Sequence, residues 1–320
     1  VVSEVEGVIN DLPTTVGGSS YGKINKWTAH ALLAKVYLNA EVFNGSAEWA
    51  KAIQNADVII DSGNYNLTSN FFDNFSIDNE SSSENIFVLV YDKVFSGGMN
   101  LAVRSLHYSS QQTYNFTTQP WNGFSSMEAF YNSFDPTDVR LGSFVEGPQY
   151  DSSGAVLLDN QAEPSDPNGP PIDFTPQIRD VRDALRQDGV RIGKFELEMG
   201  GNPAAMSNDF PLFRLGDIIL TKAEAELRLG NAGTALILVN MIRERAGVTP
   251  FASLTLADLL AERGRETAFE AYRRQDQIRF GTFNDAWEFK PADPSTHINI
   301  FPVSRSNMEA NPSLTQNPGY

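Results

Sequence analysis

Aromatic and amide side chains alternate between Tyr108 and Tyr131, in the stretch YSSQQTYNFTTQPWNGFSSMEAFY. A sugar ring has apolar C–H faces edged with hydroxyl groups, so it is bound by exposed aromatic rings with amides or charged groups beside them. Pro120 and Gly123 predict a turn that presents Trp121 to solvent. The candidate ligand-binding residues are Tyr108, Tyr114, Phe116, Gln119, Trp121 and Asn122.

An alternative for each of these rings is that it packs the surrounding loops onto the rest of the fold. That alternative stays open, and it is weakest for Trp121 and Tyr114. Trp27 and Trp49 lie on apolar helix faces, so we expect both in the core. Trp287 fits either interpretation.

Hydrolysis of a glycan would require a pair of acidic side chains, and the candidates are Glu262, Glu266 and Glu270. Their spacing resembles a glycosidase pair, but Arg263 and Arg273 lie among them, which favours structural salt bridges. Glu196 and Glu198 share one face of a predicted strand, where paired charges are usually solvated. The sequence contains no nucleophile elbow, phosphate loop or dinucleotide fingerprint. We therefore predict that the protein is not an enzyme.

Metal and cofactor signals are weak. His30, His107 and His297 are isolated, which argues against a zinc site. Asp151 and Asp159 lie in a turn-rich stretch that could bind calcium, although the twelve-residue calcium-loop pattern is missing. The absence of cysteine excludes disulfides, thiolate ligands and thiol nucleophiles in this sequence. The prediction is no cofactor, with calcium as a minor alternative.

The overall charge bears on the partner. Forty acidic residues against 24 basic ones give a net charge of −16, which repels polyanions. Nucleic acid is thus excluded as a partner, and neutral ligands are favoured. No apolar run approaches the roughly 20 residues that a membrane helix needs.

Two helical hairpins are predicted to support the aromatic stretch. In the first, within residues 21–65, one helix runs from Lys26 to Phe43 and a second follows Ser46 as N-cap. In the second, within residues 211–320, two helices are separated by a break at Gly230-Asn231. Small alanines at the facing positions are typical of tetratricopeptide-like pairs. About 190 residues separate the hairpins, so we do not expect a continuous solenoid.

Residues 66–210 are predicted to form a loop-rich, ligand-binding insertion. Their Ser, Asn, Gly and Pro content favours long loops, with strands predicted at 85–91 and 194–199. Residues 159–176 consist almost entirely of turn signals, which predicts an exposed loop. Binding residues usually lie on such loops when a rigid scaffold holds them.

Three segments in the last hundred residues resemble successive motifs of the SusD/RagB family. They are FRLGDIILTKAEAELRLGNAGTALILVNMIRERAG, then LLAERGRETAFEAYRRQDQIRFG, and finally NPSLTQNPGY at the end. A small departure is Ala271, where the family commonly has glycine. The residues that carry the resemblance are Arg214, Asp217, Ala223, Glu224, Ala225, Asn240, Arg243, Arg245, Ala246, Gly247, Glu262, Arg263, Glu266, Phe269, Glu270, Arg273, Asp276, Arg279, Pro302, Asn311, Pro312 and 316–320.

The resemblance implies a mostly α fold, in which tetratricopeptide-like hairpins carry a large irregular insertion, within a single SusD-like domain over 1–320. It also implies a surface-exposed lipoprotein of the outer membrane of Bacteroidota. Such a protein binds a poly- or oligosaccharide, here guessed as a neutral glucan such as laminarin, and delivers it to a SusC-like TonB-dependent transporter. Membrane attachment would come from a lipid on an N-terminal part outside this sequence. The alternative is a helical-repeat adaptor that binds only protein.

The terminal motif bears on the tail. Asn311-Pro312 and Asn317-Pro318 fix an extended, turning path, because proline restricts its own φ and the conformation of the residue before it. We expect this tail to dock back on the scaffold, with Tyr320 packing or capping there.

Overall fold

The computed structural model describes residues 1–159 and 169–320. In those residues, no helix is long and apolar enough to span a membrane. The helices are α1 (Val2–Val8), α2 (Lys26–Leu38), α3 (Ala40–Asn44), α4 (Trp49–Ile60), α5 (Leu101–Ser105), α6 (Ser110–Tyr114), α7 (Glu128–Tyr131), α8 (Leu215–Arg228), α9 (Ala232–Arg245), α10 (Leu256–Glu266), α11 (Arg273–Arg279) and α12 (Arg305–Ala310). The strands are β1 (Asn85–Leu89), β2 (Phe144–Val145), β3 (Gly147–Pro148), β4 (Asp173–Phe174), β5 (Arg191–Ile192) and β6 (Phe210–Arg214).

Helices α2, α4, α8 and α9 pack side by side in that order. Fully buried alanines lie in this layer, among them Ala31, Ala56, Ala223 and Ala235. Their small side chains allow the helices to approach closely. The mostly α fold class is thus confirmed. The two hairpins are far apart in sequence but adjacent in space, because α4 of the first hairpin packs against α8 of the second.

The first hairpin differs in detail from the predicted boundaries. The Asn25 side chain accepts a hydrogen bond from Thr28 N at 2.9 Å and so caps α2. The predicted first helix is divided at Asn39 into α2 and α3. Helix α4 begins after Glu48, so the prediction of Ser46 as its N-cap is wrong.

A short antiparallel pair joins the insertion to the helical layer. Strand β1 pairs with β6, which leads directly into α8, and the pair confirms the predicted strand near 85–91. The predicted strand at 194–199 is wrong. Its residues diverge to separate partners: Lys194 Nζ contacts Glu270 Oε1 at 2.6 Å, and Lys93 Nζ contacts Glu198 Oε1 at 2.5 Å.

The insertion has a hydrophobic cluster of its own, which includes Phe71, Phe75, Phe116 and Phe195. A second, smaller cluster contains Leu157, Ile172 and Phe174. Of the predicted exposed loop, residues 160–168 lie outside the described residues. Ile172 and Phe174 are buried, so the prediction is wrong for that part of the stretch.

Two features follow α10, which are a turn before α11 and a C-terminal tail. Residues between α10 and α11 include Phe269 and Ala271 with positive φ angles of 62° and 66°, so the two helices are separated by a turn. The tail docks on the segment just before it rather than on the helical layer. There the Gln316 amide donates to Val303 O at 2.9 Å, and the Tyr320 hydroxyl donates to Ile300 O at 2.9 Å.

Candidate functional site

The Trp121 turn is held against the C-terminal part of α5. Trp121 N donates to Val103 O at 2.6 Å, and Gly123 N donates to Arg104 O at the same distance. The indole is 54% exposed although its backbone is fixed on both sides. Arg104 lies beside it, with its guanidinium carbon 5.6 Å from the ring centroid. The turn therefore presents a fixed aromatic plane next to a cation.

Two neighbours of Trp121 keep this turn in place. An added Cβ at Gly123 would lie 2.8 Å from Arg104 O, so the backbone can approach this closely only with glycine. Asn122 has a φ of 51°, and its side chain donates to Arg186 O at 2.8 Å and accepts from Arg191 Nε at 3.1 Å. Both ends of the Asn122 amide are thus used within the fold. Contact between Asn122 and a ligand stays an untested prediction.

Tyr114 and Phe116 stack on each other, with centroids 5.1 Å apart and planes inclined by 25°. Phe116 is 5% exposed and belongs to the core of the insertion, so it is a packing residue and not the solvent-facing platform that was predicted. Tyr114 is half-buried, and burial raises the pKa of its hydroxyl. Of this pair, Tyr114 is the residue that keeps part of its surface in solvent.

The remaining predicted residues lie near the same turn. Tyr108 is half-buried and packs edge-on against His107, at 5.5 Å between centroids. Gln119 is exposed, two positions before Trp121. Of the six predicted residues, Trp121 and Gln119 are exposed, and Phe116 is buried. The other three, Tyr108, Tyr114 and Asn122, are half-buried.

A buried polar group lies behind Tyr108. The ring of His107 accepts a hydrogen bond from Ser109 N at Nδ1, so its proton is on Nε2, which lies 3.7 Å from Asp159 Oδ1. Burial lowers the pKa of His107 to about 4, and the opposing effect of Asp159 is smaller. Arg186 pairs with the same carboxylate at 3.3 Å. His107 is therefore a neutral, structural histidine at pH 7.

The two aspartates considered for calcium are used separately. Asp159 pairs with Arg186, whereas the Asp151 carboxylate accepts from Ser153 N and Ala155 N of its own turn. Among the described residues, no group of three or more histidine or acidic side chains is arranged to hold a metal ion. Calcium binding stays an untested prediction.

Sequence reasoning missed an exposed aromatic residue at the hairpin tip of residues 92–96. Phe95 is 91% exposed, and Asp92 Oδ1 accepts hydrogen bonds of 2.7 Å from both Val94 N and Phe95 N. Asp92 and Ser96 also exchange backbone hydrogen bonds of 3.0 Å. The sequence signal that could have revealed it is the apolar pair Val94-Phe95, which lies within the turn between Asp92 and Ser96.

The segment 198–201 connects this tip to Tyr114. Glu198 holds Lys93 of the tip, while Gly200 N donates to Tyr114 O at 2.8 Å and Thr117 N donates to Gly201 O at 3.0 Å. The tip and the Tyr114 segment are therefore supported by the same short stretch of chain.

Comparison with known proteins gives matches over nearly the whole chain. The family model described as SusD family matches residues 186–320. The starch-binding protein SusD of Bacteroides thetaiotaomicron is 26% identical over 94% of this chain. The chain is thus similar to members of the SusD/RagB family. A second relative, SusD-like protein P25 of Formosa agariphila, is 23% identical over 100% of the chain. The chain spans 61% and 64% of the length of these two relatives.

Solved SusD-like structures share the fold. Surface glycan-binding protein A from Bacteroides thetaiotaomicron, in complex with laminarihexaose, has a TM-score of 0.76 and 22% identity, covering 99% of this chain and 69% of that one. A laminarin-binding SusD-like protein has a TM-score of 0.71 and 21% identity, covering 100% and 68%. At these identities the likeness establishes the architecture.

The C-terminal segments that resemble SusD/RagB motifs converge in a buried network of ion pairs. Glu266 accepts from Arg214 Nη1 at 2.6 Å, from Arg245 Nη2 at 2.5 Å and from Arg140 Nη1 at 3.0 Å. Burial alone would raise the pKa of Glu266, but these three guanidinium groups hold it well below its usual range. Arg140 comes from the insertion, so the network links it to the C-terminal motifs.

A second part of the network surrounds Arg263, which contacts Asp276 at 2.9 Å and Asp217 at 3.0 Å. Lys35 of α2 also pairs with Asp217, at 2.7 Å. The carboxylates that resembled a catalytic pair are thus structural, as expected. Most of their partners come from other elements and not from the same helix.

The other tryptophans lie outside the aromatic stretch of residues 108–131. Trp27 and Trp49 are half-buried at the edges of the helical core rather than fully inside it. Trp287 is exposed, in the segment that follows α11.

Proposed function

We propose that this protein is a cell-surface glycan-binding protein that captures a neutral poly- or oligosaccharide at the Trp121 turn. It then delivers the glycan to a SusC-like TonB-dependent transporter in the outer membrane. The proposed sugar surface consists of Trp121, Tyr114, Tyr108 and Gln119, with Arg104 beside the indole and Phe95 at the neighbouring hairpin tip.

The observation that carries this proposal is the exposed indole of Trp121 on a rigid turn. More than half of the Trp121 surface is exposed to water, so the hydrophobic free energy of burying that surface is still available for ligand binding. Because the backbone of the turn is fixed, little conformational entropy is lost when a ligand binds. The ring offers a plane for the C–H face of a sugar. Arg104, beside the ring, and Gln119, two positions before it in sequence, are both exposed and could donate to the hydroxyl groups of the sugar.

The relatives support the ligand class. One relative is a starch-binding protein, one solved structure is a complex with laminarihexaose, and another solved protein binds laminarin. All three are neutral glucans, which agrees with the net charge of −16. We therefore propose a neutral glucan, with laminarin as the first candidate.

Isothermal titration of the full-length protein with laminarihexaose and a panel of neutral glucans, mannans, fructans and xylans tests this function. We expect binding to at least one glycan, and Trp121→Ala to weaken it by about tenfold or more because a stacking plane is lost. Trp287→Ala, which removes another exposed indole, is the matched control and should leave the affinity unchanged. Absence of binding to every glycan would refute the function, whereas equal affinity in Trp121→Ala would refute only the site.

One observation favours the second candidate, a helical adaptor that binds only protein. Helix α9 exposes Ile237 and Met241, two apolar side chains four residues apart on one face. A pull-down that retains the transporter, together with no binding to any glycan, would favour this alternative.

We further propose that the protein binds without catalysis. The acids with helical spacing, Glu262 and Glu266, are fully buried and paired with arginines, so neither is free to protonate a glycosidic oxygen. Incubation with laminarihexaose should therefore leave the oligosaccharide intact, as measured by chromatography of the products.

A further inference from the structure

Arg191 is a buried arginine in contact with the turn that carries Trp121. It belongs to β5, which pairs with β2, so its backbone is anchored in a strand. The residue is 2% exposed, and burial lowers the pKa of its guanidinium to about 10, so the group is still charged at pH 7. Its guanidinium carbon lies 4.7 Å from the ring centroid of Phe174, which is also buried. Arg191 therefore lies too deep to contact a glycan on the surface.

The guanidinium of Arg191 links two segments of the chain. Its Nε donates to Asn122 Oδ1 at 3.1 Å. Its Nη1 donates to Asp188 O at 2.9 Å and to Gly189 O at 2.6 Å, and its Nη2 donates to Arg186 O. Arg186 O also accepts from Asn122 Nδ2 at 2.8 Å. One side chain makes all these bonds because the donors of a guanidinium form a rigid fork, which a lysine lacks.

The same two segments also approach each other closely along their backbones. Ser126 N, which follows the turn, donates to Val190 O at 2.9 Å. Gly189 has a φ of 77°, and an added Cβ would lie 2.4 Å from Ser125 Oγ, so a larger residue would have to displace that serine. Residues 186–191 are therefore packed directly against residues 122–126, with Arg191 as the side chain that joins them.

The backbone of the turn is held by a different element. Three successive amides of the turn donate to carbonyl groups at the C-terminal end of α5. The donors are Trp121, Asn122 and Gly123, and the acceptors are Val103, Leu106 and Arg104, at 2.6, 2.9 and 2.6 Å. The turn is thus attached to α5 through its backbone and to β5 through the Asn122 side chain. An indole on a turn that is attached at two places has little freedom to tilt.

We propose that Arg191 is a positioning residue of the glycan site, which sets the orientation of the Trp121 indole through Asn122 without touching the sugar. This inference rests on the proposed function for its ligand, and it adds a buried residue on which the affinity depends. A stacking plane contributes most to binding when it already has the bound orientation, because a mobile plane loses entropy on binding. The affinity therefore depends on the geometry of the fork at Arg191 and not only on its positive charge.

Arg191→Lys tests the proposal, because it keeps the positive charge and removes the fork. We expect the full-length variant to bind laminarihexaose about three- to tenfold more weakly in titrations at a temperature where circular dichroism shows it folded. In a Trp121→Ala background, the same substitution should change the affinity by less than about twofold, because its effect acts through the indole.

Arg228→Lys is the matched control. Arg228 is a half-buried arginine of α8, which donates to Glu224 Oε1 at 2.9 Å and lies 4.8 Å from the centroid of the Phe280 ring. Its replacement removes a similar fork from the helical layer, so it should lower the urea midpoint and leave the affinity for laminarihexaose unchanged.

Asn122→Gly is a second variant, for the case in which Arg191→Lys does not fold. Glycine suits the φ of 51° and removes both contacts of the Asn122 amide. We expect a similar loss of affinity, which should again disappear in the Trp121→Ala background. A loss that persists there would mean that Asn122 contacts the sugar directly, and it would overturn the positioning role.

The outcomes separate this proposal from the proposed function. A folded Arg191→Lys protein that binds laminarihexaose as tightly as the native protein would refute the positioning role, and so would an equal loss of affinity in the Trp121→Ala background. If the native protein binds no glycan, the proposed function fails, and the NMR signal of the Trp121 indole N–H decides about Arg191. Arg191→Lys should shift or broaden that signal and Arg228→Lys should not; an unchanged signal in Arg191→Lys would overturn the proposal.

Discussion

Ala271 has a backbone conformation that favours glycine, with a φ of 66°. It is exposed and lies between Glu270 of the buried network and Tyr272, whose hydroxyl donates to Leu212 O. The network and this hydrogen bond therefore hold a strained residue in place.

We expect Ala271→Gly to stabilise the protein by about 0.5–1 kcal/mol. The substitution relieves about 1–2 kcal/mol of left-handed strain and gives back part of that gain as unfolded-chain entropy. The measurement is the free energy of unfolding in urea. Ala257→Gly, at an exposed position of α10, is the matched control and should destabilise by a similar amount, since it adds only the entropy cost. A lower free energy of unfolding for Ala271→Gly would show that the backbone at Ala271 is not strained.

At the scale of single elements, α8 and α9 differ in the space that they leave for a side chain. Gly216 of α8 lies inside the ion network, where an added Cβ would be 2.6 Å from Arg214 Nη1 and 2.7 Å from Glu266 Oε1. Gly233 of α9 has no atom within 4 Å of that position. Gly216 thus lies directly against charged side chains, whereas Gly233 faces open space.

We therefore expect opposite effects from the same substitution. Gly216→Ala should destabilise by about 1–3 kcal/mol, because it displaces buried charged groups from their partners. Gly233→Ala should stabilise by up to about 1 kcal/mol through helix propensity. Urea unfolding of both variants gives the comparison, and equal changes would mean that the network tolerates the extra methyl group.

The helices could be predicted from the sequence because their apolar residues repeat at helical spacing, as in α8 around Ala223. The false strand at 194–199 shows the limit of such patterns. Its alternation of Phe195 and Leu197 with charged residues is that of a strand, but each charged side chain has a distant partner that no local pattern reveals.

The same limit applies to the candidate site. The turn at Trp121 followed from Pro120 and Gly123, which restrict the backbone locally. The burial of Phe116 and the use of the Asn122 amide by Arg186 and Arg191 depend on residues far away in sequence. Composition identified the region of the candidate site but could not show which of its side chains face solvent and which are buried.

At the scale of the whole molecule, the buried carboxylates make stability depend on pH. Burial would raise the pKa of Asp276, but Arg263 and Arg279 lower it to about 2 from an ordinary value of 3.8, and Glu266 is also held well below its ordinary 4.5. As pH falls, the unfolded chain binds protons at these groups before the folded chain does. Protons therefore favour the unfolded state in that interval.

We expect the free energy of unfolding to begin to fall below about pH 6.5, where the unfolded chain protonates His107 and the folded chain does not. It should fall more steeply from about pH 4.5 towards pH 2, where the buried carboxylates titrate in the unfolded chain. Urea unfolding at a series of pH values measures this slope. Asp276→Asn should reduce the slope while lowering the stability at pH 7. A free energy of unfolding that stays constant down to pH 2 would contradict these depressed pKa values.

The ion network also affects how the chain folds. Its contacts join residues far apart in sequence: Arg140 and Glu266 are 126 positions apart, Arg245 and Glu84 are 161 apart, and Arg279 and Asn39 are 240 apart. Each such contact closes a long loop, and proteins rich in non-local contacts fold slowly. A partly folded chain that buries Arg140 or Arg245 without its carboxylates leaves a charge unpaired, so such intermediates are penalised. The same ion pairs that stabilise the finished fold thus make its assembly slow and highly cooperative, with the insertion required for its completion.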